Sequence, residues 1–211
     1  MDSERLYKVK KQDLPKIEEL LMKCFSTDPL YEKLIPNTTV RNRLLPELFK
    51  CDLNEFYETC EIFADSNKLN GILVVSDESE PYNLIKYLFS QVQATLKTDG
   101  YLIKEDNSLK TFFNFMIGKD YLNSTWTEKL HQEQRIHIIY LAVDPEKQHN
   151  GIAATLVEEV IHYADKYGLM VSLETHNVEN VAFYKQFNFR IHCVIEKHFQ
   201  LKQYCLVRDA Q

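Results

Sequence analysis

Residues 5–10 (RLYKVK) alternate polar and apolar positions, which predicts a short opening strand. Gln12-Asp13-Leu14-Pro15 then starts a helix, with Asp13 as N-cap and Pro15 in the first turn. Ile17, Leu20, Leu21 and Cys24 recur at helical spacing until Thr27-Asp28-Pro29 breaks the run. Residues 41–50 predict a second helix, with Leu44, Leu45, Leu48 and Phe49 on one side. EIFAD at 61–65 and GILVVS at 71–76 read as the two strands of a hairpin across the polar SNKLN segment. After a turn at 77–81, Leu84, Ile85, Leu88, Phe89, Val92 and Leu96 return to helical spacing, and Thr98-Asp99-Gly100 closes that helix. Residues 108–116 predict a further helix, while 121–134 is polar and irregular.

The last third carries the strongest pattern. IHIIYLAV at 136–143 is nearly continuous apolar sequence, as in a central strand buried on both faces, and Asp144-Pro145 stops it. Residues 153–167 predict an amphipathic helix that turns Ala153, Leu156, Val157, Val160, Ile161 and Ala164 inward, with Gly168 at its C-terminal stop. VSLET at 171–175 predicts a strand and 180–187 a short helix. Residues 189–195 and 199–207 predict an antiparallel pair around Lys197-His198. The order of elements predicts a mixed α/β fold. Its central sheet is mainly antiparallel and flanked by helices, with one parallel crossover between 136 and 175.

Composition narrows the function without naming it. At 211 residues the chain fits one domain, 1–211, with a helical insert at about 78–134. Apolar residues are 45% and charged residues 27%, which places the chain among ordinary globular proteins rather than disordered ones. A net charge of -6 argues against a broad nucleic-acid-binding face. No run approaches a membrane helix and the N-terminus has no signal-peptide core, so a cytoplasmic protein without a membrane partner is expected. The five cysteines form no CxxC pair, so neither a disulfide framework nor a metal site is expected.

One loop carries chemistry. The strand at 136–143 runs through Gln148, His149, Asn150, Gly151, Ile152 and Ala153 into the long helix. Such a junction aims unpaired backbone N–H groups and the helix's partial positive charge at whatever lies beyond the strand end, and a pyrophosphate suits it. A plain strand–helix turn has the same spacing. The loop has neither GxxxxGK[ST] nor GxGxxG, which excludes a P-loop and a dinucleotide fingerprint.

AVDPEKQHNGIAATLVEEV closely resembles the acetyl-coenzyme A segment of GCN5-related N-acetyltransferases (GNAT), whose pattern is [QR]-x-x-G-x-[GA]; Gln148, Gly151 and Ala153 match it. LETHNVENVAFYKQFNF resembles that family's second block through Asn177, Tyr184 and Phe189. The Leu173-Glu174-Thr175…Asn177…Phe183-Tyr184 pattern and Asp28-Pro29-Leu30-Tyr31 look most like the puromycin N-acetyltransferase branch. The chain departs from the family in having Asn188 where glycine is usual, a residue that tolerates positive φ, and in lacking an Arg or Lys within QHN.

The resemblance implies the GNAT fold, acetyl-coenzyme A as co-substrate, and transfer of an acetyl group to a primary amine of a small molecule by direct attack. A peptide or protein acceptor, or a non-catalytic acyl-coenzyme A sensor, is the alternative. It also implies that the strand ending at Val143 splays from 171–175. Leu141, Ala142 and Val143 would then hold the pantetheine arm as an added strand, with a backbone N–H near Leu141 as oxyanion donor. Tyr184 would protonate the leaving thiolate. Asn177 would contact the arm or cap the helix at 180–187. Asn180 would bond the cofactor or be that cap, and Phe183 would pack on the arm or in the core. The proton acceptor is open among His137, Glu174 and water. His137 in an apolar strand also reads as a core residue, and Glu174 as a direct base, a base through water, or an anchor for the amine. The aromatic insert (Phe112, Phe113, Phe115, Tyr121, Trp126) would line the acceptor pocket or form a satellite core. A monomer or homodimer is expected.

Overall fold

In a computed structural model, residues 1, 3–77, 100–102, 104, 106, 109–122, 124–130 and 134–211 are described. The helical pattern at 84–96 and most of the turn at 77–81 lie outside them. Seven strands make one sheet in the order β1-β2-β3-β4-β5-β7-β6. They are β1 (Tyr7–Lys8), β2 (Glu61–Ala64), β3 (Gly71–Asp77), β4 (Arg135–Val143), β5 (Met170–Thr175), β6 (Arg190–Ile195) and β7 (Gln203–Arg208). Among the described residues only the β4–β5 pair is parallel. The mixed, mainly antiparallel architecture is the one expected.

The apolar alternation of the strands splits the core in two. One face of the sheet packs against α1 (Leu14–Phe25), α2 (Pro29–Leu34), α3 (Thr38–Thr59) and α4 (Lys110–Leu122). The other packs against α5 (Ile152–Tyr167) and α6 (Val178–Lys185). Leu156, Val157, Val160 and Ala164 of α5 are buried as expected, while Ala153 and Ile161 stay partly exposed. Gly168 ends α5 at φ 68°, and Leu169 N–H reaches back to Ala164 O at 2.8 Å, closing the last turn.

Several N-terminal details differ from expectation. Asp13 holds the N-cap position of α1, as expected, but makes no side-chain capping bond; its carboxylate accepts from Tyr7 Oη and Lys10 N, both 2.9 Å, and so fixes the turn before the helix. Asp28-Pro29 does not simply break the chain but starts α2, with Asp28 accepting from Leu30 N at 2.8 Å. The second predicted helix, 41–50, is the middle of the 22-residue α3, which continues past Pro46. Buried Arg41 donates to Ser26 O (2.9 Å) and Ile35 O (2.8 Å), tying the segments on either side of α2 to α3.

Two features shape the centre. On β4 the register slips between Val75↔Ile138 and Val74↔Tyr140, leaving Ile139 as a bulge. A bulge reverses side-chain parity: Ile138 packs on the α5 side, while Tyr140 and Ala142 face α1 and α3. The β4–β5 ladder also ends at Ile138↔Leu173, although β4 continues beside β3 to Val143. The two parallel strands therefore part in mid-sheet.

Candidate active site

Beyond Ile138 the β5-facing edge of β4 has no strand partner. Asp144 N–H donates to Asn70 O at 2.8 Å, so in an antiparallel ladder Ala142 also bonds toward β3. Leu141 and Val143 then turn their N–H and C=O groups to the open side. Val143 O there accepts Cys24 Sγ (3.3 Å) and Gln148 Nε2 (3.4 Å).

The loop at 148–153 leads into α5. His149 and Gly151 sit at φ 62° and 79°, the left-handed region that curls successive N–H groups to one side. Asn150 Nδ2 donates to Lys147 O (3.1 Å) and Gln148 O (3.2 Å), so its side chain holds the loop. The first intrahelical bond of α5 is Thr155 N to Gly151 O at 2.9 Å, which leaves Ile152, Ala153 and Ala154 with unpaired donors by helix geometry. No acidic residue occupies that first turn. A Cβ on Gly151 would meet nothing within 4 Å, so the space above the loop is open. A Cβ on Gly71 would stand 2.5 Å from Ile152 Cγ2; this glycine lets the start of α5 press against β3. These features suit a pyrophosphate bound through backbone donors.

On the α5–α6 face, Tyr184 is buried in the cluster that contains Ile138 and Leu173, the last paired residues before the strands part. Phe183 and Phe189 meet its ring edge-on at 5.2 and 5.6 Å. Its hydroxyl bonds no described residue, and burial pushes the phenol far above its ordinary value. Asn177 is the helix cap: its Oδ1 accepts from Glu179 N at 2.9 Å. The helix begins at Val178 rather than 180, so Asn180 is not the cap; it lies inside α6 and donates to Thr175 Oγ1 at 3.2 Å. Phe183 is half-buried and stacks with Tyr184 and Phe187. Asn188 takes φ 65°, so the turn that usually has glycine is kept.

On the opposite face a polar cluster closes around the two proton-acceptor candidates. His137 is 6% exposed. Its Nδ1 lies 2.9 Å from Ser172 Oγ, and its Nε2 lies 3.1 Å from Ser124 Oγ and 3.2 Å from Glu174 Oε2. Ser124 Oγ also donates to Glu174 Oε1, and Trp126 Nε1 donates to Oε2 at 3.1 Å. Burial alone would raise the Glu174 carboxyl; the charge of His137 and the hydrogen bonds from His137, Ser124 and Trp126 outweigh it and hold it below the usual value. Next along that face, His176 is pushed down to about 4 by burial, which the negative Glu174 offsets only in part. Its buried Nε2 has no hydrogen-bond partner among the described residues.

The structure thus brings His137 and Glu174 together and sets Gln148 to Ala153 at the end of the same opening. It adds Ser124, Ser172, His176 and Gly71, which the sequence did not mark for the site, and of the aromatic insert it brings Trp126 to the cluster. His176 was accessible by spacing, two residues beyond Glu174 and just past the end of β5; Ser124 was not, because it comes from an irregular turn. The insert divides its work. Phe112 and Phe115 pack on the main core, Tyr121 is buried, Phe113 is 55% exposed, and Trp126 joins the cluster. Among the described residues there is no cluster of His, Cys, Asp and Glu able to hold a metal, and no helix long and apolar enough to cross a membrane.

Comparison with known proteins agrees with this geometry. The model of the acetyltransferase (GNAT) family matches residues 74–189, more than half of the chain, and the chain belongs to that family. It is an acyl-coenzyme A-dependent N-acetyltransferase, and acetyl-coenzyme A is the family's co-substrate. No curated protein matches it in sequence. Among solved structures it is similar to a histone acetyltransferase HPA2 and related acetyltransferase from Corynebacterium glutamicum, at 14% identity and a TM-score of 0.67, over 98% of this chain and 96% of that one. The ribosomal-protein-S18-alanine N-acetyltransferase of Escherichia coli follows at 12% and 0.56, over 98% and 93%. Arylalkylamine N-acetyltransferase 2 of Aedes aegypti stands at 12% and 0.56, over 98% and 99%. At these identities the likeness is one of fold.

Proposed function

We propose that the protein transfers an acetyl group from acetyl-coenzyme A to a primary amine of a small molecule, by direct attack in a ternary complex. The observation that carries this is the parting of β4 and β5 after Ile138 and Leu173. It leaves a gap with the His137–Glu174 cluster on one face and protonated Tyr184 on the other. The roles follow from the chemistry. The amine nitrogen attacks the thioester carbonyl, forming a C–N bond as the C–S bond breaks. The Leu141 N–H, turned to the open edge, donates to the developing oxyanion. The amine's proton passes through water to His137, which enters the step as the neutral imidazole, and the resulting imidazolium is stabilised by Glu174; both Glu174 oxygens already accept hydrogen bonds, which disfavours direct contact with the amine. The thiolate takes the Tyr184 proton, and solvent restores it. The unpaired Nε2 of His176 offers the acceptor, or a bridging water, one more hydrogen bond.

In this proposal Gln148, His149, Asn150, Gly151, Ile152 and Ala153 hold the pyrophosphate, with Leu141, Ala142, Val143, Asn180 and Phe183 along the arm. Asn177 shapes the site by capping α6 and keeps its amide N–H groups for the arm. The whole of 1–211 acts as one domain with an acceptor-side insert at about 78–134. A small acceptor is favoured over a protein because aromatic side chains from α1, α2, α3 and β4 wall the acceptor face. Kinship with the puromycin N-acetyltransferase branch belongs to the same proposal and rests on the Leu173-Glu174-Thr175 and Asp28-Pro29 patterns. The test is acetyl-coenzyme A titration by calorimetry, then thiol release with a panel of amines. Micromolar binding lost in Gly151→Trp, with amine-dependent release, is expected; wild-type protein that binds no acetyl-coenzyme A overturns the proposal.

A further inference from the structure

Across the sheet from Tyr184, α3 carries a carboxylate that the steps above do not use. Asp52 Oδ2 accepts from Tyr140 Oη at 3.0 Å, and Tyr140 Oη lies 3.3 Å from Tyr31 Oη. The rings of Phe25, Phe56 and Phe49 stand 5.5, 5.9 and 6.4 Å from that of Tyr140. Asp52, Tyr140, Phe25 and Phe56 are all only partly covered, so this group opens to the surface, while Phe49 and Tyr31 form its floor. Among the described residues no Lys, Arg or His pairs with Asp52, and the sole hydrogen bond it accepts leaves one oxygen without a partner.

A carboxylate set among rings with no cation is expensive to keep, and a bound cation would offset that cost. The faces of the surrounding rings attract positive charge as well. The position matters equally. Tyr140 precedes Leu141, the oxyanion donor, and the Ile139 bulge turns its side chain to the α1–α3 face. Asp52 therefore stands one tyrosine side chain away from the point of attack. The attacking amine must be neutral, so the charge met by Asp52 belongs to another group of the acceptor.

We propose that Asp52, with Tyr140, Tyr31 and the Phe25–Phe56 wall, binds a second positively charged group of the acceptor, so that the preferred substrates are amines bearing a further cation. This rests on the N-acetyltransferase reading. The experiment titrates α,ω-diamines of three to six carbons, and monoamines of equal length, into the full-length protein by calorimetry, with and without coenzyme A. The best diamine is expected to bind at least about tenfold tighter than its monoamine. Asp52→Asn is expected to remove the preference while leaving acetyl-coenzyme A affinity unchanged. Equal binding of mono- and diamines at every length, or a preference that survives in folded Asp52→Asn, overturns the proposal. Should Asp52→Asn fail to fold, the wild-type comparison alone decides. Thiol release read in parallel separates the two ideas. Release with no diamine preference removes the subsite and leaves the transferase; Asp52-dependent binding without release does the reverse.

Discussion

Asp52 and Glu174 are both shielded carboxyls, yet their neighbours move them in opposite directions. Glu174 is held down by His137, Ser124 and Trp126, whereas Asp52 has only Tyr140 against its burial and is pushed up to about 7. The groups that face Asp52 are Tyr31 from α2, Tyr140 from β4 and Glu55 one turn along α3, and none is a cation. An acid whose folded pKa exceeds its unfolded value of about 3.9 favours folding most below that value. Its contribution falls as pH rises and levels off above about 7. Asp52→Asn, which keeps an acceptor for Tyr140, should therefore raise the melting temperature at pH 8 and change it little at pH 4. Melts at the two pH values check this, and an equal shift at both would show that the carboxyl is not strained by its surroundings. Tyr184 makes a second residue-scale prediction. Tyr184→Phe removes only the proton donor from a packed ring, so kcat should fall about 10²-fold or more with acetyl-coenzyme A affinity and melting temperature nearly unchanged. A loss of affinity instead would make it a binding residue.

At the scale of elements, the loop proposed to hold the pyrophosphate depends on two glycines for different reasons. Gly151 needs its left-handed φ and faces open space. Gly71 needs the absence of a Cβ, because α5 begins against it. Gly71→Val should thus weaken acetyl-coenzyme A binding by displacing the start of α5, although position 71 lies on β3 and outside the loop. Calorimetry of that variant beside Gly151→Ala checks it; unchanged affinity in Gly71→Val would show that α5 can shift without harm. The loop was legible in the sequence because strand, glycine and amphipathic helix follow one another directly. The Gly71 contact was not, since it joins residues far apart in the chain. Legibility failed in a similar way along α3. Leu44, Leu45, Leu48 and Phe49 marked its first half, but in 51–59 only Leu53 is fully buried while Asp52 and Glu55 are half-buried. A helix face that meets a binding surface loses the apolar stripe by which helices are read, so the pattern was weakest where the proposed subsite lies. Helix α6 was misplaced by two residues for a simpler reason: Asn177 and Asn180 are both good caps, and only the Thr175 hydroxyl, which takes up Asn180, separates them.

At the scale of the whole molecule, the proposed function puts the cofactor on one side of the sheet and the acceptor on the other, and among the described residues the two sides meet where β4 and β5 part. The motif residues lie on the first side, while chain segments from three helices and an insert build the second. This is why sequence resemblance reached the co-substrate and stopped short of the acceptor. The same geometry bears on the choice between direct transfer and a covalent relay. Among the described residues the cysteine that reaches the open edge is Cys24, whose Sγ donates to Val143 O at 3.3 Å. Burial, with Asp144 nearby, pushes its thiol up to about 11. At neutral pH that thiol is almost wholly protonated, and the thiolate is the nucleophile, so Cys24 is a poor acyl carrier. This favours the proposed direct attack, in which the amine meets the thioester while both are bound. Initial rates over a grid of acetyl-coenzyme A and amine concentrations should give intersecting rather than parallel double-reciprocal lines. Protein incubated with acetyl-coenzyme A alone should show no added acetyl mass, and Cys24→Ala should retain most of kcat. Parallel lines together with an acetyl adduct that disappears in Cys24→Ala would replace direct attack with a two-step relay through the α1 face.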